Sequence, residues 1–527
     1  MHDRTATIIV LPYLIDVASL STTRKLRSFT AFPYGPLSIV TYVTNMTHDD
    51  EVITVFDTNV QNDPEENLRD HLACTKPDIV GFSLMFDNSY PHLTKYIKIV
   101  KEMLPSTIIT IGGQAVNASY HDLLDIHPEI DAVCYREGEV PMYKLLTSID
   151  MIEELETNIS WITRESLSKS IDPEATMVDV DDVVNIRYDA VEIEEYSMEE
   201  SFSPFANAKE DRRQFFLVSS RGCPFKCSFC MNSTSERYGM RYASIDKIMD
   251  HLNYLVDEYG MNGLTIYDDQ LLYNKPRAKE LFSRLASLNI RVECPNGVSV
   301  AYIDKELATL MKSAGMDSIY LAIESGAPYV LKNLMNKPLK VEQCFRAMEF
   351  LREEDFWIQG FFVNGIPGET TVHREETMDV IRKLGLDWAS FSLASPIRGT
   401  KLYNECIEKG YISPVRLGEY DMSIYGINVP GISPEKVTME TYLMNLDANF
   451  VNNYRMGIGQ PELAARAFKY VLDRHPNHAF AHYFYAKAIE QVNPLRSAID
   501  KHVGIVRKIC SEFPEWNDYF KHFGIEV

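Results

Sequence analysis

Short apolar runs alternate with stretches of helical periodicity through the first 150 residues. The runs ATIIVLP, EVITVFD, DIVGFSLMF, TIITIGG and DAVCYREGE read as strands, because each is brief, β-branched and bounded by turn residues. Residues 37–46, 65–74, 92–104 and 120–126 carry apolar side chains at helix spacing and read as helices between them. Five strands joined by helices predict an α/β domain with a doubly wound, Rossmann-like parallel sheet over residues 1–150. Ligands of such sheets sit outside the carboxyl ends of the strands. Asp57, Ser83, Gly112, Gly113, Glu137, Gly138 and Glu139 fall at those ends. The Gly112–Gly113 pair would either let backbone approach a ligand closely or make a plain tight turn. No GxGxxG fingerprint is present, which argues against a nicotinamide cofactor.

The alternation stops over 151–212, an acidic stretch with no clean period that reads as a linker with some short strands, either packed between the domains or partly mobile, and it resumes from Gln214. FFLVSS, GLTIYDD, IRVECPNG, DSIYLAIESG, WIQGFFVNGIPG and WASFSLASP read as six strands, with helices near 245–259, 276–288, 305–314, 342–353 and 373–384. Six βα units over 213–430 predict an open, partial (β/α)6 barrel, smaller than the closed eight-fold form. Residues 431–527 read as an α-helical domain. Within it, GQPELAARAFKYVLDRHPNHAFAHYFYAKAIEQ forms one helix–turn–helix resembling a tetratricopeptide unit. A single unit makes no free-standing solenoid, so these helices either pack on the barrel or offer a peptide-binding surface.

Composition narrows the classes. The chain has 527 residues, 45% of them hydrophobic, and a net charge of −23. That acidity argues against a nucleic-acid partner. No apolar stretch reaches the length of about 18 residues that a membrane span needs. The first residues, MHDRTATIIVLPYL, do not read as a signal peptide. Nine cysteines without framework spacing fit a reducing, cytoplasmic setting.

Three of those cysteines, Cys223, Cys227 and Cys230, lie in the stretch RGCPFKCSFC. Their spacing would also mark one face of a helix, but Gly222 and Pro224 disfavour a helix there. A strand leading into a loop that projects three thiols is the better reading. Zinc in a tetrahedral site wants a fourth ligand, and the next candidates, His251 and Cys294, are well downstream. Three thiolates on a short loop suit an iron–sulfur cluster better. Such a cluster leaves one iron open.

The cysteine spacing, with Phe229 just before the third cysteine, resembles the signature of the radical S-adenosylmethionine superfamily. GFS, IGG and REGE at the ends of the third, fourth and fifth strands resemble the cobalamin-binding domain that precedes the radical domain in many of its members. LAIESG, NGIPGET and SPIRGTKLY are similar to later strand ends of those barrels, so the likeness runs over about residues 1–405. The DxHxxG motif that supplies a histidine to cobalt elsewhere is absent.

The resemblance implies a [4Fe-4S] cluster on Cys223, Cys227 and Cys230 that binds S-adenosylmethionine at its open iron. Phe229, Asp268, Asp269, Glu324 and Gly365 would lie near S-adenosylmethionine, with Asn296, Ser299 and Arg241 as further candidates. Ser83, Gly112, Gly113, Glu137 and Gly138 would lie near cobalamin. The implied chemistry is reductive cleavage to a deoxyadenosyl radical, hydrogen abstraction, and methyl transfer to an unactivated carbon, or phosphorus, of a small metabolite or peptide. A reductase or flavodoxin-type protein would supply the electron. A non-methylating rearrangement, cyclisation or oxidation is the alternative. A tRNA methylthiotransferase or a non-catalytic iron–sulfur scaffold fits less well, the former because the first domain lacks a second cysteine triad.

Overall fold

The computed structural model describes residues 4–12, 31–85, 87–196, 212–414, 417–418, 425–492 and 496–527. Six strands form the first sheet: β1 Ala6–Val10, β2 Ile53–Asp57, β3 Ile79–Ser83, β4 Ile108–Gly112, β5 Ala132–Cys134 and β6 Trp161–Ile162. Their order is β2-β1-β3-β4-β5-β6, and β1 to β5 run parallel. Helices cover both faces, so the strands must be apolar on both sides. All five residues of β1 are buried, and Ile8 and Ile9 enter separate cores on opposite faces. Helices Tyr34–Thr47 and Glu139–Thr147 pack together on the Ile8 face, and Pro64–Thr75 and Tyr90–Met103 pair on the other.

β6 is a short strand within the connector 151–212. Trp161–Ile162 pairs antiparallel with β5 and extends the first sheet. Two residues are too few for a strand period to show in sequence. The connector then packs between the two sheets. The Tyr188 hydroxyl donates to the Phe216 carbonyl at 2.7 Å, and the Tyr196 hydroxyl donates to Asp57 at 3.0 Å. The end of the connector, 197–211, lies outside the described residues.

The barrel strands are β7 Gln214–Leu217, β10 Gly263–Ile266, β11 Arg291–Glu293, β12 Ser318–Glu324, β13 Trp357–Asn364 and β14 Trp388–Leu393; a short ladder of β8 Ser220–Arg221 and β9 Arg241–Tyr242 lies between the first two. The six form as two parallel halves, β11-β10-β7 and β12-β13-β14. An isolated bridge between Val298 and Leu321 joins the halves. Pro295 and Gly297, with φ +82° at the glycine, divert the chain after β11. Proline also lacks the N–H a ladder needs, so pairing resumes only at Val298. Helices such as Ile245–Tyr259 lay one apolar stripe, Ile248, Met249, Leu252 and Leu255, on the strands.

The helix Pro434–Leu446 leads from the barrel into a helical region with its own core around Phe450, Phe468, Phe480 and Phe520. The Asn449 side-chain amide pairs with both backbone groups of Ala389, at 2.8 and 2.7 Å, and so occupies the edge of β14. The predicted helix–turn–helix is Pro461–Arg474 and Ala479–Val492, and it packs inward rather than standing free. His478 stacks on Phe450 and His482 meets His502. No helix among the described residues is long and apolar enough to cross a membrane.

Candidate functional site

The cysteine loop leaves the barrel at β8 and returns at β9, and these two antiparallel pairs pin its root. Gly222 has φ +99°, and a Cβ there would meet the Gly239 carbonyl oxygen at 2.2 Å. Only glycine lets the two ends of the loop pass so closely. The tip is held as firmly. The Ser228 N–H donates to Met335 O at 2.9 Å, its hydroxyl to Leu334 O at 2.8 Å, and its own carbonyl accepts from Leu402 N.

Held this way, Cys223, Cys227 and Cys230 line one cavity of about 390 Å³ at the carboxyl mouth of the barrel. Phe229, Asp269, Asn296, Ser299 and Glu324 line it too. Burial pushes the Cys227 thiol up to about 12 and raises Cys223 and Cys230 as well. A thiol triad with Cys223 buried and Cys227 and Cys230 half-buried suits a metal cluster, whose positive charge makes the thiolate the favoured form. Beyond the thiols the wall carries both signs of charge, which suits a zwitterionic ligand with a polar tail.

Glu324 reaches the cavity through strain. Its φ is +67° at a bulge in β12, a region costly for any residue with a side chain. Lys337 pairs with it at 3.0 Å. Burial pulls the Lys337 pKa down, but Glu324 and then Cys227 outweigh it and hold the ammonium above its ordinary value. Burial, helped by Asp268, pushes the Asp269 carboxyl up to about 6, and Asp269 accepts from the Asn232 amide at 2.6 Å.

Three of the expected residues stand apart, and one of them, Arg241, pairs with Glu137 away from the cavity. Asp268 does not line the cavity. It is buried beneath the loop root and accepts from the Ser219 N–H and hydroxyl, both at 2.6 Å, and from the Ser220 hydroxyl at 2.5 Å. Those bonds occupy both oxygens, so Asp268 anchors the loop instead of meeting a ligand. Gly365 also lies outside the cavity. A Cβ there would fall 2.6 Å from the Tyr425 ring, and its N–H donates to Glu369 at 2.5 Å. Its freedom serves packing.

Ser83, Gly112, Gly113, Glu137 and Gly138 gather around a second cavity of about 190 Å³ at the edge of the first sheet. At Gly113, φ is +114° and a Cβ would meet Leu84 O at 2.4 Å. Glu137 sits at this cavity in an ion-pair cluster. It pairs with Arg241 and, at 3.4 Å, with Arg221, and it accepts from Val178 N at 3.0 Å. Arg221 also pairs with Glu139 at 2.8 Å and donates to Ser38 at 2.7 Å. The arginine that opens the cysteine loop is therefore bound by the two glutamates that follow β5. Lone residues such as Lys337 and Asn232 carried no signal in the sequence, and the Arg221 contacts join elements far apart along the chain.

This is the layout of an iron–sulfur enzyme working beside a second, sheet-bound cofactor. Residues 217–396 match the Radical SAM superfamily and residues 31–146 match the B12 binding domain. Cytidylyl-2-hydroxyethylphosphonate methyltransferase of Streptomyces wedmorensis is 29% identical over 397 residues, covering 68% of this chain and 72% of that protein. An uncharacterized methyltransferase of Pyrococcus horikoshii is 26% identical over 390 residues, covering 73% and 82%. Among solved structures, the radical S-adenosylmethionine methyltransferase TsrM of Kitasatospora setae superposes with a TM-score of 0.62 at 14% identity, covering 84% of this chain and 89% of that one. The cobalamin-dependent S-adenosylmethionine radical enzyme OxsB gives 0.63 at 14% identity, covering 98% and 84%. At such identity these two likenesses are of fold. The chain thus combines a domain of the Radical SAM superfamily with a B12 binding domain. Those domains imply a [4Fe-4S] cluster with S-adenosylmethionine in the barrel and cobalamin at the sheet.

Proposed function

We propose that this protein is a cobalamin-dependent radical S-adenosylmethionine methyltransferase acting on an unactivated carbon, or phosphorus, of a small metabolite or peptide. One observation carries the reading. Arg221 lines the sheet-edge cavity and Cys223 lines the barrel cavity, so a single glycine separates residues of the two cofactor sites. A substrate between them would be in reach of both.

When bound, the cluster with S-adenosylmethionine supplies a carbon-centred radical and the corrinoid supplies a methyl group. The chain's part is to hold and to position. Cys223, Cys227 and Cys230 hold the cluster. Asp269, Glu324 and Lys337 present opposite charges to the amino and carboxylate groups of S-adenosylmethionine. The Arg221, Glu137 and Glu139 cluster keeps the two sites in register. The phosphonate in the name of the Streptomyces relative supports a phosphorus-bearing small molecule among the candidate substrates. A reductase or flavodoxin-type donor in a reducing cytoplasm would supply the electron.

Anaerobically purified protein should show four-iron absorbance and cleave S-adenosylmethionine when reduced. Methyl-deuterated S-adenosylmethionine, incubated with the enzyme and a metabolite extract, should pass its label into product. Full cluster content in Cys223→Ala, Cys227→Ala and Cys230→Ala would sink the ligand assignment. Turnover without label in the product would favour cyclisation or rearrangement.

A further inference from the structure

The tip of the cysteine loop runs against the charge of the rest of the chain. Carboxylates outnumber lysines and arginines by 75 to 52 overall, yet residues 325–341 hold three lysines and no carboxylate. This is the segment that grips the tip. The Leu334 and Met335 carbonyls accept from Ser228, and the Asn336 side-chain amide donates to the Lys226 carbonyl at 2.9 Å. A second segment, at Lys401–Leu402, is tied to the tip by the bond from Leu402 N to Ser228 O. Lys226 on the tip, and Lys332, Lys340 and Lys401 on the two segments bound to it, are all exposed. Exposed lysines elsewhere, such as Lys169, Lys305 and Lys409, are neutralised by a neighbouring carboxylate. Among the described residues Lys332, Lys340 and Lys401 have no such partner. The surface here is also close to the thiols: exposed Lys226 is bonded to half-buried Cys227, and Lys337, Pro338 and Leu339, just before Lys340, line the barrel cavity.

We propose that this lysine face, Lys226, Lys332, Lys340 and Lys401, is the docking surface for an acidic one-electron carrier protein of the flavodoxin type. The inference rests on the radical reading above, which needs one electron from outside. In that step the reduced carrier loses an electron and the cluster gains it; no bond forms or breaks and no proton moves. The donor must therefore dock where a thiol ligand comes near the surface, and the loop tip meets that condition while leaving the cavity to S-adenosylmethionine and substrate. Charge selects the partner. A face of unpaired ammonium groups complements a face of carboxylates. A body of net charge −23 repels an acidic protein at long range. Screening over about 10 Å at 0.1 M salt leaves the local field of the lysines to decide where such a protein lands. The four lysines act on the partner and not on the reacting atoms.

The test uses the full-length, cluster-loaded protein with two reductants: a bacterial flavodoxin, and dithionite, which needs no docking. One variant combines Lys226→Glu, Lys332→Glu, Lys340→Glu and Lys401→Glu. A control variant makes the same change of charge at Lys469, Lys487, Lys508 and Lys521 of the helical region. By titration calorimetry the first variant should bind flavodoxin at least about ten-fold more weakly than wild type, and wild-type binding should weaken as salt rises. Flavodoxin-driven cleavage of S-adenosylmethionine should fall by a similar factor while dithionite-driven cleavage holds, which also shows that the variant is folded and loaded. The control variant should match wild type in both. Equal losses in the two variants, or flavodoxin binding unchanged in the first, overturn the proposal. If the four reversals also lower dithionite-driven cleavage, Lys→Gln at the same positions replaces them, and unchanged flavodoxin binding there overturns it. Wild type that binds phosphatidylglycerol vesicles through these lysines and no flavodoxin would mark a lipid-facing surface instead. If wild type is active with dithionite but binds no flavodoxin, the docking surface fails and the radical reading stands. If neither reductant supports cleavage, the radical reading fails and this inference falls with it.

Discussion

Arg221→Met removes a charge from the junction of the two domains while keeping most of the side-chain volume. Arg221 is 12% exposed and pairs with Glu139 at 2.8 Å and Glu137 at 3.4 Å. Glu137 would keep Arg241 and the Val178 N–H. Glu139, 3% exposed, would keep the Ser38 hydroxyl. Breaking a buried pair by removing one partner costs about 3–5 kcal/mol, and because Glu137 stays compensated we expect a loss of about 3 kcal/mol. The loss depends on pH. Burial pushes the Glu139 carboxyl up, but Arg221 and Ser38 outweigh it and hold the carboxyl below its ordinary value. A depressed folded pKa gives stability that is present above the unfolded value and is lost as pH falls through the folded one. The gap between wild type and variant should thus be full at neutral pH and shrink in acid, below about pH 4.3. Urea midpoints of the single variants Arg221→Met and Glu139→Gln and of the double variant close a cycle. A coupling energy of about 2 kcal/mol is expected, since contacting charged residues couple by up to about 3 kcal/mol. Single-variant losses that add to within about 0.5 kcal/mol would refute the clamp.

Three further outcomes follow from the geometry. Gly113→Ala places a Cβ against Leu84 O at a φ of +114°; it should cost at least about 1–3 kcal/mol and weaken corrinoid retention, read by thermal melting and dialysis. Asp268→Ala strips the acceptor from three donors at the loop root; iron per chain should fall while far-ultraviolet circular dichroism holds, and full iron content would count against the anchor. Burial lowers the His251 pKa from its ordinary 6.5 to about 4, so the unfolded chain takes up a proton first as pH falls. Roughly 3 kcal/mol of stability should therefore drain away between those two values, and His251→Phe should flatten the stability profile across that window.

Much of this layout was legible in the chain. Strands buried on both faces leave unbroken apolar runs, as at Ala6–Val10 and Ile79–Ser83, and no helix intervenes to blur them. The cysteine loop announced itself because soft ligands must be close in sequence to be close on a short loop. Other features left no mark. Two residues of β6 cannot display a period, so Trp161 read as connector. Asp268 and Asp269 are neighbours with the same side chain, yet one anchors Ser219 and Ser220 while the other lines the cavity. CPNG sat inside a run that read as one barrel strand, and nothing there foretold two half-sheets joined at Val298.

The sequence by itself determined the longer strands and helices and the thiol loop, because periodicity, turn chemistry and ligand spacing are local properties of the chain. Only the tertiary structure decided which carboxylates face a cavity and which are bound internally, and that the two glutamates following β5 grip the arginine that opens the cysteine loop. Those outcomes depend on burial and on contacts between residues far apart in sequence, where the cost of an unpaired charge sets the partner.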